Sequence, residues 1–583
     1  MTAPNRNTLW ARVLVDELAA AGVRTAVLAP GSRSTPLTVA FAEHADVTAL
    51  SLLDERSAAF FALGRSKRTG EPTAVVTTSG TATANLHPAV LEADAARVPL
   101  LVLTADRPPE LQDSGANQTT DQTRLYGDAV RAYRTLPEPA PRARALRSLR
   151  VTAVRAVATT TGTPPGPVHL NVPFRKPLEP TPVEGDVPAD LAERAPLAVA
   201  GRDGPFVRVE HGRPELSDAS LDAVARALED ATRGLVVAGP SNQPTPRRDA
   251  LAMLARASDI PILADPLSGH RFGHDEDIPV CGGYDAYIDA ARDWPDPDVV
   301  IRFGASPTSK AARQYLRDAD ARQFVVDPGG GWSEAEFTAS DLLVADPTRL
   351  ARRLADRVAS AGERAWRDRF ARAESEHWSI VNDATDDGFE GAILSAVATN
   401  IQPGSTLVVS NSMPVRDLDR FGRPRAGAVR VLGNRGVSGI DGMTSTALGA
   451  GSDGPVTLVI GDLAFYHDMN GLLALKRCDV AATIVLLNND GGGIFHKLPI
   501  ESFDPPFTEY FRTPHGLDFS PVGDLYGAEF VTTTSVESFR SLYTESIDSD
   551  GTQIIEVRTD GEASERQRER LKQRLTERLS PVE

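Results

Sequence analysis

Two short stretches near the C-terminal end carry oxygen-rich chemistry. Gly461-Asp462 closes the apolar run 456–460, and Asn488-Asn489-Asp490 with three glycines closes the apolar run 482–487. A carboxylate, an amide oxygen and a glycine-rich backbone are hard oxygen donors, suited to a Mg²⁺ ion that also grips phosphates. Either stretch alone reads as an ordinary strand-to-helix turn. Between them lies a helical pattern from about Met469 to Lys476, which makes a strand–helix–strand unit. In a parallel sheet both strand ends fall on one edge, where ligands bind. Asp462 and Asn489 are therefore expected to be neighbours.

Similar turns recur earlier. Gly31-Ser32-Arg33-Ser34 leads from a short strand into a helix with Pro36 in its first turn, an arrangement that favours anions. Asp54-Glu55 opens a helix, which by itself is routine capping. Ser79-Gly80 is another small-residue turn. The polar stretch 113–122, which contains Asn117 and Gln118, lacks apolar periodicity, and a loop of that kind usually binds something. Arg33, Arg107, Arg416 and Arg435 each sit on a strand-end turn, where guanidinium forks can grip carboxylates.

These turns need a scaffold of alternating strands and helices. Strands are expected at 24–28, 47–52, 74–77, 100–103 and 168–172, with helices over 126–160. A second series runs through 234–238, 260–263, 299–303, 323–326 and 342–344. A third takes in 406–409, 429–432, 456–460, 482–487 and 554–557, and a charged amphipathic helix over 562–579 ends the chain. The fold class is α/β, with three doubly wound parallel-sheet domains. The expected division is 1–180, a linker 181–205, a central domain 206–360, a helical linker 361–388 and a last domain 389–583. The first and third domains share a style of architecture, which hints at duplication.

At 583 residues the chain is too long for one core. No apolar run approaches the roughly 20 residues that span a bilayer, and the N-terminus reads as an amphipathic helix, not a signal peptide. Cys281 and Cys478 give no disulfide framework or metal spacing. A cytoplasmic protein follows by default. A net charge of −17 makes nucleic acid and anionic membranes poor partners. The acid excess, with only six lysines, suggests a salt-adapted proteome.

The motifs also match as a set. PGSRSTPLT from Pro30, DERSAAFFALG from Asp54, TSGTATANL from Thr78, TADRPPEL from Thr104 and GANQTTDQ from Gly115 are joined by NRGVSGIDG from Asn434, GDLAFYHDMNGL from Gly461 and NNDGGGIF from Asn488. The chain resembles the thiamine-diphosphate enzymes of the pyruvate-oxidase-like type, and among them the synthases of menaquinone biosynthesis. The domains would then be pyrimidine-binding, central and diphosphate-binding.

The resemblance implies roles. Glu55 would be catalytic, bonding the aminopyrimidine of thiamine diphosphate and driving its tautomer switch. Ser79, Gly80, Ile440, Gly461, Leu463 and Gly492 would line the cofactor. Asp462, Asn489 and the Gly491 carbonyl would hold Mg²⁺ or Mn²⁺. The substrates implied are 2-oxoglutarate, which would be decarboxylated, and isochorismate, which would receive the succinyl carbanion equivalent. Ser32, Arg33, Arg107, Asn117 and Gln118 would contact them from the first domain, and Lys310 from the central one. Ser412, Arg416, Arg435, Ile494, Phe495 and Leu498 would do so from the last. Ala311 stands where some members place an arginine, which leaves open whether Arg313 substitutes. A homodimer or homotetramer is implied, with active sites at the subunit interface. The alternatives are another thiamine-diphosphate 2-oxo-acid decarboxylase or acetolactate-type synthase, or a non-catalytic cofactor-binding paralogue.

Overall fold

The computed structural model describes residues 3–241, 244–289, 294–359, 363–384 and 388–580. Its framework is three six-stranded sheets, parallel throughout. The first contains β1 (Thr25–Leu28), β2 (Thr48–Ser51), β3 (Thr73–Thr77), β4 (Leu100–Asp106), β5 (Ala132–Thr135) and β6 (Val168–Pro173), in the order β2-β1-β3-β4-β6-β5.

The second contains β7 (Gly234–Ala238), β8 (Ile262–Ala264), β9 (Val280–Cys281), β10 (Val299–Phe303), β11 (Arg322–Val326) and β12 (Asp341–Leu343). Its order, β12-β11-β10-β7-β8-β9, is the doubly wound arrangement with a reversal between the first and fourth strands. The third contains β13 (Thr406–Val409), β14 (Arg430–Leu432), β15 (Val456–Gly461), β16 (Thr483–Asn488), β17 (Glu529–Thr533) and β18 (Gln553–Arg558). Its order, β14-β13-β15-β16-β18-β17, repeats that of the first sheet strand for strand. The α/β class expected from the pattern is the class observed.

The central strands are short runs of Val, Ile, Leu and Ala, buried on both faces, as parallel sheets covered by helices require. The segments form two compact units. One comprises Met1–His211, Gly436–Gly454 and His467–Val480; the other comprises Gly212–Arg435, Pro455–Tyr466 and Ala481–Glu583. Two pieces that follow the third sheet's strands in sequence thus pack in the first unit. The helix Met443–Gly451 lies against the helix Glu55–Thr69 so closely that a Cβ on Gly64 would come within 1.9 Å of the Thr446 carbonyl oxygen. A Cβ on Gly449 would come within 2.0 Å of the Phe61 carbonyl oxygen. Only glycine allows this backbone approach.

Several expectations need correction. The stretch 126–160 is not all helix: β5 occupies Ala132–Thr135 and the helix spans Ala143–Thr160. The half-exposed AYRT strand has no apolar run to mark it. β9 and β17 were not expected either, the one because it has two residues, the other because it lies at the sheet's edge and is only partly buried. β4 continues through Asp106, so residues 104–106 are strand rather than loop. The helical pattern near Met469 begins earlier, as a short helix Asp462–His467.

The stretch 181–205 packs onto the first unit: Leu191 and Ala198 join its core, and the Ala198 and Val199 carbonyls accept bonds from the buried Arg150. In the helical linker the helix is Arg364–Asn382; the ends of that linker, 360–362 and 385–387, lie outside the described residues.

Candidate cofactor and substrate site

In the first unit the parallel register aligns the C-terminal ends of β1, β3 and β4. The turns that carry Arg33, Ser79 and Arg107 therefore share one edge. A Cβ on Gly31 would meet the Thr78 Cβ at 2.3 Å, so the first two turns touch.

Glu55 is the first residue of the helix Glu55–Thr69. Asp54 caps it by accepting the Ser57 N–H, and Gly70, at φ 77°, ends it. Around this N-terminus Arg56 donates to the His467 carbonyl at 2.7 Å, Asn470 donates to Asp54 at 3.4 Å, and Arg477 donates to the Ser51 carbonyl at 2.8 Å. Glu55 is half-buried, and among the described residues its carboxylate takes no hydrogen bond or ion pair.

The polar loop 113–122 folds onto the Ser79-Gly80 turn. Ser79 Oγ donates to the Gln118 carbonyl at 2.9 Å, and Gln118 Nε2 donates to the Ser79 carbonyl at 3.3 Å. Arg107 donates to the Asn117 carbonyl at 2.8 Å. Underneath, Gln122 accepts the Gly80 N–H at 3.0 Å and donates to Asn171 at 2.8 Å, while Asn171 donates to Asp106 at 2.7 Å. Burial raises the Asp106 pKa above the usual carboxylate value. Gln122 was not singled out from sequence, although it lies in the loop that was. Arg33 is buried, and it gives one N–H to the Phe174 carbonyl at 2.6 Å while its Nε has no partner among the described residues. Its neighbour Ser32 opens the same turn. Ile440 is half-buried in a segment held by Glu92, which accepts the N–H groups of Gly436 and Val437.

In the second unit β15 and β16 pair with Gly461 opposite Leu487, which sets Asp462 level with Asn488. Asp462 is 2% exposed and anchors the glycine turn. Its Oδ1 accepts the Leu463 N–H at 2.7 Å and its Oδ2 the Gly491 N–H at 2.9 Å. Burial raises its pKa against these bonds. Gly491 has φ 139°, and a Cβ there would strike the Arg512 carbonyl oxygen at 2.1 Å, so glycine is required. The next residue, Gly492, donates its N–H to that same carbonyl at 2.7 Å. Asn489 Oδ1 is buried with no partner among the described residues. His515 joins the group. The Leu517 N–H donates to Nδ1 at 3.0 Å, so the ring proton sits on Nε2, which faces Asp462 Oδ2 at 3.3 Å.

A buried carboxylate, an orphaned amide oxygen and a backbone carbonyl on adjoining turns fit Mg²⁺ bound together with phosphates. Among the described residues no cluster of three or more His, Cys, Asp or Glu could hold a metal by side chains alone.

Arg416 and Arg435 lie near each other. Arg435 donates to Asn411 at 3.0 Å, and Arg416 donates to the Ser412 carbonyl. Burial, then the Arg435 charge, hold the Arg416 pKa below its ordinary value, with Asp285 opposing and Arg313 adding to the effect. Arg313 thus lies within electrostatic reach of Arg416, whereas Lys310, at the start of the same helix, is exposed and unbonded among the described residues. Guanidinium groups gathered in this way suit an anionic ligand. Ile494 and Phe495 are half-buried, Phe495 packing edge-on against Phe511, and Leu498 is exposed.

Comparison with known proteins bears on this geometry. Residues 10–125 match the family model "Thiamine pyrophosphate enzyme, N-terminal TPP binding domain", and residues 425–557 match "Thiamine pyrophosphate enzyme, C-terminal TPP binding domain". The chain is 60% identical to the 2-succinyl-5-enolpyruvyl-6-hydroxy-3-cyclohexene-1-carboxylate synthase of Natronomonas pharaonis, over 99% of this chain and 100% of the relative. It is 47% identical to the protein of that name from Roseiflexus castenholzii, over 96% of both chains. Among solved structures, the Rhodococcus jostii thiamine diphosphate-dependent 4-hydroxybenzoylformate decarboxylase superposes with a TM-score of 0.70 at 19% identity. The match covers 94% of this chain and 99% of that one, a likeness of fold.

Proposed function

Because the chain belongs to the 2-succinyl-5-enolpyruvyl-6-hydroxy-3-cyclohexene-1-carboxylate synthase family of thiamine-diphosphate enzymes, we propose that it decarboxylates 2-oxoglutarate and transfers the four-carbon succinyl unit to isochorismate. The observation that carries the reading at the level of residues is the junction of β15 and β16. There Asp462 is fixed by two backbone N–H groups, one of them from Gly491, two residues beyond Asn489 with its orphaned Oδ1. Those two oxygens and the Gly491 carbonyl would hold Mg²⁺ or Mn²⁺, with Gly461, Leu463 and Gly492 giving backbone around the diphosphate. When bound, thiamine diphosphate supplies the nucleophilic carbon that attacks a 2-oxo acid and takes up the electrons released with CO₂.

The chain's own residues would do the rest. Glu55, free of protein partners among the described residues, would exchange a proton with the aminopyrimidine. Ser79 and Gly80 would face that ring, and Ile440 would support the cofactor. Both substrates are dianions, so a protein of net charge −17 needs local cations. Arg416 and Arg435, joined by Arg313, form one such group, and Arg33 and Arg107 would provide another with Ser32, Asn117 and Gln118. Ser412 would add a hydroxyl, and Ile494, Phe495 and Leu498 an apolar wall. Arg313 fits the carboxylate contact better than the exposed Lys310. We further propose a cytoplasmic homodimer or homotetramer in which Glu55 serves a site completed by another subunit. No helix among the described residues is long and apolar enough to cross a membrane.

The test is product mass. Protein supplied with thiamine diphosphate, Mg²⁺, 2-oxoglutarate and isochorismate should yield the adduct of isochorismate and 2-oxoglutarate less CO₂; its absence under conditions where the cofactor binds would refute the reading.

A further inference from the structure

The orphaned Asn489 oxygen raises a question of orientation. The two ends of an amide side chain are nearly the same size, yet only the oxygen can bind a cation. Something must fix which end faces the metal.

Asn489 Nδ2 donates to Glu390 Oε1 at 2.7 Å. Glu390 is the first residue of the helix Glu390–Asn400 and is 1% exposed. Its Oε1 also accepts from Thr559 at 3.1 Å, and its Oε2 accepts from Arg568 Nη2 at 2.6 Å. Arg568 lies on the C-terminal helix Gly561–Leu579 and is itself 2% exposed. It is held by Asp417, whose two oxygens accept from Nε at 2.7 Å and from Nη2 at 2.6 Å. The slot is tight. A Cβ on Gly493 would come within 2.6 Å of Asn489 Nδ2, and one on Gly561 within 3.6 Å of Asn489 Cγ.

A carboxylate accepts hydrogen bonds and cannot donate them. The face of Asn489 toward Glu390 must therefore be its NH₂, which leaves Oδ1 on the opposite side, where it is buried without a partner among the described residues. The reversed amide would set oxygen against carboxylate and aim an N–H at the cation. Arg568 fixes the carboxylate from its other side and offsets the cost of burying it.

We propose that Glu390, braced by Arg568, is a positioning residue that selects the metal-binding face of Asn489. The proposal rests on the reading of Asn489 as a metal ligand. It extends the site to the start of the third sheet's first helix and to the C-terminal helix, through hydrogen bonds and the Glu390–Arg568 ion pair. Partners of metal ligands commonly matter about tenfold or more in affinity.

The experiment is a Mg²⁺ titration of the full-length protein with thiamine diphosphate present, following bound cofactor by circular dichroism. Asn489→Asp sets one carboxylate against another and should weaken Mg²⁺ binding about tenfold or more. Glu390→Gln should weaken it similarly, because the new amide cannot accept from both Asn489 and Arg568. The double variant Glu390→Gln/Asn489→Asp reverses the hydrogen bond, with the Gln NH₂ donating to an aspartate that offers an oxygen on either face. It should bind Mg²⁺ several-fold more tightly than either single variant. Affinity in the double variant equal to the product of the two single losses would overturn the proposal.

Should the double variant fail to fold, Glu390→Gln alone decides: Mg²⁺ affinity unchanged from the natural protein overturns the proposal, and a tenfold loss with an intact far-ultraviolet spectrum supports it. Asn489→Ala separates the two levels. If it binds Mg²⁺ normally, the ligand assignment itself has failed; if it loses Mg²⁺ while Glu390→Gln does not, only the positioning role has.

Discussion

His515 Nε2 faces Asp462 Oδ2 at 3.3 Å, and the Leu517 N–H at Nδ1 fixes the proton on the side that faces the carboxylate. The ring thus steadies one oxygen of a group whose other contacts are two backbone N–H bonds. His515→Leu should raise the Mg²⁺ concentration needed for half-saturation roughly tenfold, the usual effect of losing a ligand's partner. His515→Gln keeps a donor and should lose less. Titrations of thiamine diphosphate at graded Mg²⁺ measure both; equal Mg²⁺ dependence in all three proteins would remove the role.

Glu55 has its helix start anchored on several sides and its carboxylate free among the described residues. Glu55→Gln should leave the fold intact and thiamine diphosphate bound, yet lower kcat about 10²- to 10⁴-fold, the range typical of a lost acid–base group. Rates within twofold of the natural protein would remove its assigned chemistry.

Gln122 joins the Gly80 N–H to Asn171 beneath the polar loop. Gln122→Leu leaves buried polar groups unpaired at a cost of about 1–3 kcal/mol each. A lower midpoint in urea is expected, with weaker cofactor binding because the Ser79-Gly80 turn loosens. An unchanged midpoint would show that the network is dispensable.

Gly64 and Gly449 let two helices touch backbone to backbone. Gly64→Ala would force a methyl group onto the Thr446 carbonyl, a kind of overpacking that costs about 1–3 kcal/mol and occasionally more. Thermal unfolding should report a large loss, whereas Gly70→Ala, at a helix end where a Cβ meets nothing within 4 Å, should cost less.

Asp468 is buried and accepts from the Ser445 N–H at 2.7 Å and Ser445 Oγ at 3.1 Å. Burial pushes its pKa up to about 6 from an ordinary 3.8. The folded state then binds a proton more tightly than the unfolded state, so this group's contribution to stability falls as pH rises from about 4 to about 6 and is constant above. At 1.36 kcal/mol per pH unit the full effect is about 3 kcal/mol. Relative to the natural protein, Asp468→Asn should be more stable at pH 7.5, and the gap should close below pH 4. A gap independent of pH would contradict the burial argument.

The legible parts of the sequence were those with local signatures. The turn at 488–493 announced itself through glycines that the backbone demands, Gly491 above all, the Gly461-Asp462 turn as the end of an apolar run, and the buried strands because both faces are apolar. The edge strands β5 and β17 lack that signal, being only partly buried. The partner of the Asn489 amide lies 99 residues away at a helix start that reads as routine capping. Arg568 was hidden for another reason: the helix around it is charged and mostly exposed, so a buried arginine looks like its solvated neighbours. Arg33 was legible as a cation on a turn, but its bond to the Phe174 carbonyl depends on a strand end 141 residues away.

The central claim is met most directly by the rate of CO₂ release from 2-oxoglutarate by protein saturated with thiamine diphosphate and Mg²⁺, measured with and without isochorismate. The account predicts release that is slow alone and at least tenfold faster when isochorismate is added, with pyruvate a poor replacement. Release from pyruvate as fast as from 2-oxoglutarate, with no response to isochorismate, would contradict it.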